Sequence, residues 1–376
     1  MNITVNYSIK DINKDQWIKL TESSNSFHDY DWLKNLEDSL CTTEKTGWIP
    51  RYFIAHKNNK IIAAIVSYIK THSYAEYIFD WQWAQSYYQA DINYYPKLVL
   101  ASAFSPVTNK RILSLNETPQ SNLETLLKFV INYAKEHNMS SIHSLFCPKE
   151  ELKIYENLGF KTRLSYQFHF QNQNYSSFND YVNNLKSQKR KTISKEREFL
   201  QTQKIKTHFY SGNDITKKEL EFVWTCYKNT TLQKGSTAYL NKEFFLNLSD
   251  SLKKQILIII ASQNNTYCAS TFNLFKNNYL YGRYWGSTLP IKFLHFECSL
   301  YQLINWGIQH NINIIEAGAQ GEHKFLRGFE PTFTYSTHLL FRTDAMNMIS
   351  EFIHIEKENS LKSFDYYKIK SPYKKY

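Results

Sequence analysis

The sequence of 376 residues contains little glycine and little proline. Its 10 Gly and 8 Pro exclude collagen-like and Gly/Pro-rich low-complexity architectures. Aromatic residues make up 16% of the chain and charged residues 21%, which is more burial capacity than a disordered chain carries. The sequence therefore predicts a folded protein, and its length predicts two domains or one large domain.

Cysteine is also scarce, and its five copies stand far apart at Cys41, Cys147, Cys226, Cys268 and Cys298. The sequence has neither a Cys-x-x-Cys pair nor a His-x-x-x-His pair, which argues against a zinc site and against a disulfide scaffold. It also has no Gly-x-Ser-x-Gly string to support a serine hydrolase. We expect reduced core cysteines and no bound metal.

Long hydrophobic runs are absent. The longest, residues 61–69 and 256–261, fall short of the ~20 apolar residues that a membrane span needs. The first residues do not combine a basic region with an apolar one, so they do not resemble a signal peptide. We expect a cytoplasmic protein without a transmembrane segment, and the sequence leaves its oligomeric state open.

Positive charge is in excess, because 45 Lys and Arg face 34 Asp and Glu, giving a net charge of +11. Such a balance favours acidic partners such as nucleic acid, phosphorylated substrates or an anionic membrane surface. The densest basic stretch, residues 186–197, contains Lys189 and Arg190. One interpretation is the solvated face of a helix. The other is a groove that binds a polyanion.

The first half of the chain alternates strand patterns with helical ones. We predict strands where β-branched and aromatic residues cluster, and helices where apolar residues recur every three or four positions. The predicted strands are 51–55, 61–69 after a turn at Asn58-Asn59, 75–79, 142–146 and 164–170. The predicted helices are 121–137 and a segment from Pro148 to Gly159.

The second half repeats that order of elements. The predicted helices are 177–203, 217–230, 242–252, 294–310 and a short segment at 322–328. The predicted strands are 256–261, 268–275, 279–285, 312–317 and 333–341, with turns at Asn264-Asn265 and Asn277-Asn278. The polar stretch 171–176 marks a boundary, giving one domain over 1–172 and a second, which carries the basic helix, over 173–376.

Antiparallel strands followed by helix, strand, short helix and strand are typical of a GNAT-type domain, the fold of the acyl-CoA N-acyltransferases. Because that order occurs twice, we predict an α+β fold with tandem GNAT-like domains, in which mixed, mainly antiparallel sheets are flanked by helices.

Eight short strings are distinctive. They are GWIPR (47–51), SYAEYIFDW (73–81), YYPKL (94–98), FSPVT (104–108), KRK (189–191), LYGRYWG (280–286), FLHFE (293–297) and EAGAQGEHK (316–324). Together they resemble the FemAB-like predicted N-acyltransferases of the GNAT-like superfamily, often described as peptidoglycan biosynthesis or recognition proteins. The resemblance implies a tandem acyltransferase fold and a donor such as acyl-CoA or aminoacyl-tRNA, with no tightly bound cofactor.

Residues 316–327 form the most distinctive polar stretch. An apolar strand leads into small residues and then into four ionisable ones, which is how a sheet presents functional groups at its end. Glu322 or His323 could act as a general base, and Lys324 and Arg327 could hold a phosphate or an oxyanion. An ordinary helix N-terminus would also explain Glu322. Glu316, which opens the stretch, and His295, near the start of the 294–310 helix, are further catalytic candidates.

Arg283 and Tyr284 lie between a predicted strand and a predicted helix. A GNAT domain places its pyrophosphate-binding loop there, with small residues that let backbone amides approach the phosphates. The usual Gln/Arg-x-x-Gly-x-Gly/Ala pattern is incomplete, because Thr288 occupies its last small position. This departure favours aminoacyl-tRNA over acyl-CoA as donor. A strand-end ion pair is the alternative explanation for Arg283.

In the first half, Asp80, Trp83, Tyr95 and Lys97 resemble a binding wall for a sugar or a peptide, although packing would explain them equally well. The function predicted for the whole chain is an N-acyltransferase that moves an acyl or aminoacyl group from an activated carrier to an amine acceptor. The acceptor could be a small molecule, a peptide or a cell-wall precursor, and tRNA is a candidate partner. The alternative is a non-catalytic module that binds RNA or a cell-wall precursor.

Overall fold

Three Asn-Asn pairs turn the chain between neighbouring strands. In the computed structural model, which describes residues 1–319 and 321–374, both residues of the pairs 58–59, 264–265 and 277–278 have positive φ. Asparagine tolerates this conformation better than most residues, and it is the conformation of a two-residue hairpin turn. The strands that flank each pair are antiparallel neighbours. The three predicted turns are confirmed.

The chain divides into two compact units, and neither is continuous in sequence. Unit 1 comprises Met1–Tyr166 and Phe333–Lys362, and unit 2 comprises Gln167–Thr332 and the segment from Ser363 onward. The contacts therefore group residues 333–362 with the first part of the chain. The assignment of one domain to 1–172 and another to 173–376 stays a prediction.

Unit 1 is a sheet with helices, and β7, β13 and α13 run on into unit 2. Its strands are β1 (Asn2–Asn6), β2 (Trp48–Lys57), β3 (Lys60–Lys70), β4 (Lys97–Leu100), β5 (Ile112–Ser114), β6 (Ser141–Cys147), the start of β7 (Lys161–Gln171) and most of β13 (Glu330–Leu340). Its helices are α1 (Lys14–Thr21), α2 (Tyr30–Asp38), α3 (Trp81–Gln89), α4 (Gln120–Glu136), α5 (Leu152–Asn157) and most of α13 (Thr343–Ile369). The strand order is β1-β2-β3-β4-β6-β13, with β5 beside β3.

The core of unit 1 lies between its sheet and α4. Leu126, Leu127 and Val130 of α4 are buried against Phe53 and Ile65 of the sheet. Because residues three and four apart share one face of a helix, the predicted apolar periodicity of this segment is confirmed. The neighbours β4 and β6 run parallel, and α4 lies in the crossover that a parallel pair requires.

Unit 2 repeats this arrangement. Its strands are the end of β7, then β8 (Ile205–Ser211), β9 (Ile256–Gln263), β10 (Thr266–Lys276), β11 (Tyr279–Ser287) and β12 (Ile314–Glu316), in the order β7-β12-β11-β10-β9-β8. Its helices are α6 (Phe178–Asn183), α7 (Ser187–Thr202), α8 (Lys217–Gln233), α9 (Lys242–Leu246), α10 (Asp250–Lys253), α11 (Leu294–Phe296) and α12 (Gln302–Gln309), with a π turn at Glu297–Tyr301 and a 3-10 helix at Glu322–Arg327. Here β11 and β12 are the parallel neighbours, joined by α11 and α12.

Several predicted elements are wrong in detail. Residues 75–79 form no strand, because Ala75 and Tyr77 have positive φ, which an extended strand does not allow. The predicted helix 177–203 is two helices, since Lys186 between them has an extended backbone with ψ 146°. The predicted helix 242–252 is also interrupted, and Ser249 caps its second part. Elements β1, β5, β8, α1, α2, α3 and α13 were not predicted.

Candidate functional site

Strands β7, β11 and β12 bring polar residues together on one face of the unit 2 sheet. Glu316 at the end of β12 lies opposite Tyr281 of β11 and opposite His169 of β7, and directly opposed residues share a face. Ile315 points the other way, because a Cβ added to Gly307 of α12 would lie 3.0 Å from the Ile315 Cδ1 atom. Glu316 and His169, both buried, therefore lie on the face away from α12.

His169 was missed by the sequence analysis. The signal was present, because Gln167 and His169 alternate with Phe168 and Phe170 in a predicted strand, and alternation places both polar residues on one face. The Nε2–H group of His169 donates a hydrogen bond of 3.1 Å to Oε1 of Gln167. Its burial, assisted by the charge of Lys324, lowers the pKa of the imidazole to about 3. The ring is therefore neutral at physiological pH.

A β-bulge re-aims Arg283. On β10, Phe272 lies opposite Tyr284 and the next residue, Asn273, lies opposite Gly282, so Arg283 is the extra residue of β11. Such a bulge changes the direction of a side chain within a strand. Arg283 is half-buried. Tyr284, by contrast, is buried with its ring centre 5.0 Å from that of Tyr227 in α8, so these two neighbouring candidates have different surroundings.

Lys324 is a buried amine beside the cation of Arg283. Its Nζ donates a hydrogen bond of 2.6 Å to the Gly318 carbonyl, and it forms no ion pair with a carboxylate in the described part of the chain. Burial lowers the pKa of Lys324 to about 7, and the positive charge of Arg283 contributes a smaller part of this effect. An anionic group placed here would favour the protonated amine. The arrangement of Lys324 and Arg283 is therefore suited to a negatively charged ligand or oxyanion.

His323 and His295 face one another next to Lys324. Their ring centres are 5.6 Å apart, and the ring of Trp285 lies 5.2 Å from that of His295. Burial lowers the pKa of both imidazoles, with neighbouring positive charges adding to the effect, and the pKa of His295 falls to about 4. The Nε2 atom of His323 is buried, and no described group bonds to it. A neutral imidazole with this free nitrogen can accept a proton.

Glu322 is more exposed to solvent than His323 and Lys324, which follow it in the chain. Its side chain is exposed, and Oε1 accepts a hydrogen bond of 2.5 Å from the Tyr367 hydroxyl. The carboxylate is therefore open to solvent and already bonded within the chain. Of the two predicted bases, His323 is the one in a partly buried environment beside Lys324.

Arg327 is already paired. Its guanidinium forms an ion pair of 2.5 Å with Glu196 of α7, donates a hydrogen bond of 2.7 Å to the Tyr301 hydroxyl and lies 3.5 Å from the ring centre of Phe296. It also donates to the His323 carbonyl at 2.9 Å. Glu196 matches the charge of Arg327 and connects the 3-10 helix to α7, and a phosphate-binding role for Arg327 stays a prediction.

The two predicted basic residues of α7 lie toward its packed side. Ile193 and Leu200 are buried on that side, and both Lys189 and Arg190 are half-buried. Arg190 donates a hydrogen bond of 2.9 Å to the Leu185 carbonyl. The cations that α7 exposes fully are instead Lys191 and Lys195, with Lys186 just before the helix.

In unit 1, Lys97 is the centre of a buried charge cluster. Its Nζ lies 2.8 Å from Glu76 and also contacts Asp80. Burial acts to lower the pKa of Lys97, but the two carboxylates outweigh it and the pKa is raised. Burial acts to raise the pKa of Asp80, but Lys97 and the other groups around the carboxylate together outweigh it, and the pKa of Asp80 falls to about 2.

The other predicted wall residues of unit 1 are also internal or partly so. Trp83 is buried in a small core with Ile349 and Ile353, and its ring lies 4.9 Å from that of His338. Tyr95 is half-buried and bonds at 2.8 Å to the Ser73 hydroxyl. Asp80, Trp83 and Lys97 are thus buried side chains, while their role in binding stays a prediction.

All five cysteines are buried and free of disulfides. Within residues 1–319 and 321–374, no group of three or more His, Cys, Asp or Glu side chains is arranged to hold a metal ion. No helix in the same ranges is both long and apolar enough to cross a membrane. Gln320, in the distinctive string at 316–324, lies outside the described residues.

Comparison with known proteins identifies relatives of the whole chain. The FemAB-like family, described as peptidoglycan biosynthesis/recognition, matches residues 8–375. Among solved structures, FemX is 11% identical with a TM-score of 0.57, covering 93% of this chain and all of FemX. L-PGS from Bacillus licheniformis is 9% identical with a TM-score of 0.55, covering 91% and 97%. A conserved protein of unknown function from Bacteroides thetaiotaomicron is 13% identical with a TM-score of 0.54, covering 91% and 100%.

No curated protein matches the chain. The structural matches show the fold, and they confirm the predicted α+β class with tandem GNAT-like domains.

Proposed function

Because the chain belongs to the FemAB-like family, we propose that it is an N-acyltransferase that moves an aminoacyl or acyl group from an activated carrier to a primary amine. The observation that carries this proposal is the cluster of Arg283, His323 and Lys324 in unit 2. It combines two cations with a neutral imidazole whose Nε2 has no partner in the described chain. Acyl transfer needs both a stabiliser of negative charge and a proton acceptor.

In the proposed reaction the nitrogen of the acceptor amine attacks the carbonyl carbon of the donor. As the C–N bond forms, the carbonyl oxygen gains negative charge, which Arg283 and Lys324 stabilise. The attacking nitrogen passes one proton to Nε2 of His323. The bond from carbon to the carrier oxygen or sulfur then breaks, and the imidazolium returns the proton to the leaving group. No external oxidant or reductant is required.

The segment between β11 and α11 supports aminoacyl-tRNA over acyl-CoA as the carrier. The backbone N–H groups of Thr288, Ile291 and Leu294 donate to carbonyl groups of the chain itself. A pyrophosphate-binding loop instead leaves such groups free for the ligand. The exposed cations at Lys186, Lys191 and Lys195 are suited to the phosphates of an RNA. A cell-wall peptide with a free amine is the acceptor that the family description supports.

The test is transfer by the purified full chain. A pool of aminoacyl-tRNA and, separately, acetyl-CoA is incubated with lysine-containing peptides, and the mass gained by the peptides is measured. We expect transfer from aminoacyl-tRNA, and a loss of roughly 100-fold or more in rate for His323→Ala, the low end for removing a general base. His354→Ala, at an exposed position of α13, is the control and retains the wild-type rate.

Two results would contradict the proposal. Equal rates for His323→Ala and the wild type, at equal melting temperature, would remove His323 as the proton acceptor. If neither carrier supports transfer but tRNA still raises the melting temperature in a salt-sensitive manner, the chain is a binding module.

A further inference from the structure

The outer face of α3 in unit 1 is aromatic and uncharged. The helix buries Trp83 and Tyr87, which lie on one side because they are four residues apart. The residues that it exposes share the opposite side and are Trp81, Gln82, Gln85, Tyr88 and Gln89. Two aromatic rings and three amides therefore form this face, which we call the α3 outer face.

Large aromatic rings are unusually exposed on this part of the chain. The exposed fraction is 84% for Tyr88, 57% for Tyr74, 55% for Phe79 and 41% for Trp81. The ring of Tyr74 lies 5.2 Å from that of Trp81, so the aromatic surface extends from the helix onto the segment before it. Clustered exposed aromatic surface marks an interaction site more often than scattered single residues do.

The charge of this region restricts the kind of partner. Residues 71–96 contain neither lysine nor arginine, although the chain carries 45 of them. The carboxylates of Glu76 and Asp80 are buried beside Lys97, and Asp91 is exposed beyond the end of the helix. Arg163, from outside this stretch, donates to the Phe79 carbonyl, but its charge is matched by Glu356. A nucleic acid or an anionic membrane would be met by unpaired basic side chains, so the α3 outer face is complementary to an uncharged ligand.

We propose that the α3 outer face is a docking surface for an uncharged oligosaccharide. The C–H face of a sugar ring packs against an aromatic ring, and its hydroxyl and acetamido groups find donors and acceptors in the amides of glutamine. Trp81 and Tyr88 are seven residues apart, which is about 10.5 Å along the helix. This separation is longer than one sugar ring, so the face fits a chain of sugars. The proposal does not depend on acyl transfer, because it concerns binding alone.

The test is binding of a neutral β-linked hexamer of N-acetylglucosamine to the full chain, followed by calorimetry or by NMR of the labelled protein. We expect Trp81→Ala and Tyr88→Ala each to weaken binding roughly three- to tenfold, and the double variant to weaken it by more. Tyr366→Ala, which removes a tyrosine that is 57% exposed on α13, is the matched control and keeps the wild-type affinity. All of these side chains are exposed, so the variants should remain folded.

The salt dependence of the affinity distinguishes binding of an uncharged oligosaccharide from binding of an anionic partner. The affinity for the hexamer should change by less than about twofold between low and high salt, because no charges are neutralised. Wild-type protein that fails to bind the hexamer at millimolar concentration would overturn the proposal. So would a double variant that binds as well as the wild type. Binding to anionic vesicles in place of the hexamer, lost in the same variants, would assign the face to a membrane surface instead.

Discussion

The ammonium of Lys97 lies 2.8 Å from the carboxylate of Glu76, and both side chains are fully buried. Lys97 also contacts Asp80, so replacing it by methionine leaves two buried carboxylates without their cation. We expect Lys97→Met to lower the free energy of unfolding by about 3–5 kcal/mol, the usual cost of breaking a buried ion pair. Urea denaturation measures the change.

The control for that experiment is an exposed ion pair. Lys10 lies 3.0 Å from Asp38 with half of its side chain exposed, so Lys10→Met should cost no more than about 1 kcal/mol. If Lys97→Met costs as little as Lys10→Met, the carboxylates of Glu76 and Asp80 are not held by Lys97 in solution.

Lys324 should make the stability depend on pH in alkaline solution. Its pKa is about 7 in the folded protein and about 10.4 in the unfolded chain, so between these values the unfolded state binds more protons. The free energy of unfolding must therefore rise with pH there, by about 2–3 kcal/mol between roughly pH 7 and pH 9 from this group. Lys324→Met should lose that rise. Lys45→Met, at an exposed position, should keep it, and identical pH profiles for all three proteins would exclude a neutral Lys324.

Arg327 and Glu196 should be coupled in stability. Arg327→Met leaves the buried Glu196 carboxylate without its 2.5 Å partner, at a cost of about 3–5 kcal/mol. Adding Glu196→Gln removes that unpaired charge, so the double variant should be more stable than Arg327→Met alone. A double-mutant cycle by urea denaturation measures the coupling energy. Additive effects would show that the pair is not formed in solution.

Gly286 should be the least replaceable of the described glycines. A Cβ added there would lie 1.9 Å from the Cys226 carbonyl oxygen of α8, so Gly286→Ala must separate the helix from β11. We expect a loss of more than about 3 kcal/mol in the free energy of unfolding. Gly212→Ala is the matched control, because its Cβ would meet nothing within 4 Å and its cost of about 1 kcal/mol arises from φ alone. Similar costs for the two variants would contradict the close approach.

Local sequence signals predicted much of the fold. The Asn-Asn turns and the apolar periodicity of α4 are encoded within a few residues, and the structure confirms both. Residues 75–79 are rich in aromatic and β-branched types, yet the positive φ values of Ala75 and Tyr77 cannot be read from those types. The end of α6 before Lys186 likewise has neither glycine nor proline to mark it. The backbone of Lys186 is extended, and its N–H group donates a hydrogen bond to the carbonyl of Pro372 in the C-terminal segment.

The sequence draws attention to residues of the candidate site but does not contain their pairings. The stretch 316–327 stood out because small residues precede ionisable ones in the sequence. That Arg327 pairs with Glu196, 131 residues away, depends on tertiary structure alone. His169 lies beside Glu316 because of the register between β7 and β12. The direction of the Arg283 side chain depends on a β-bulge in the pairing of β11 with β10. Such features depend on neighbouring strands, which no short sequence window contains.

The pairing of β13 with β6 has a consequence for biosynthesis. Residues 335–340 complete the unit 1 sheet beside β6, and a ribosome produces them only after the Gln167–Thr332 part of unit 2. Until then the nascent polypeptide carries β6 with an unpaired edge, the kind of edge that promotes aggregation. A premature stop anywhere before residue 340 therefore damages unit 1, although most of that unit is translated before unit 2.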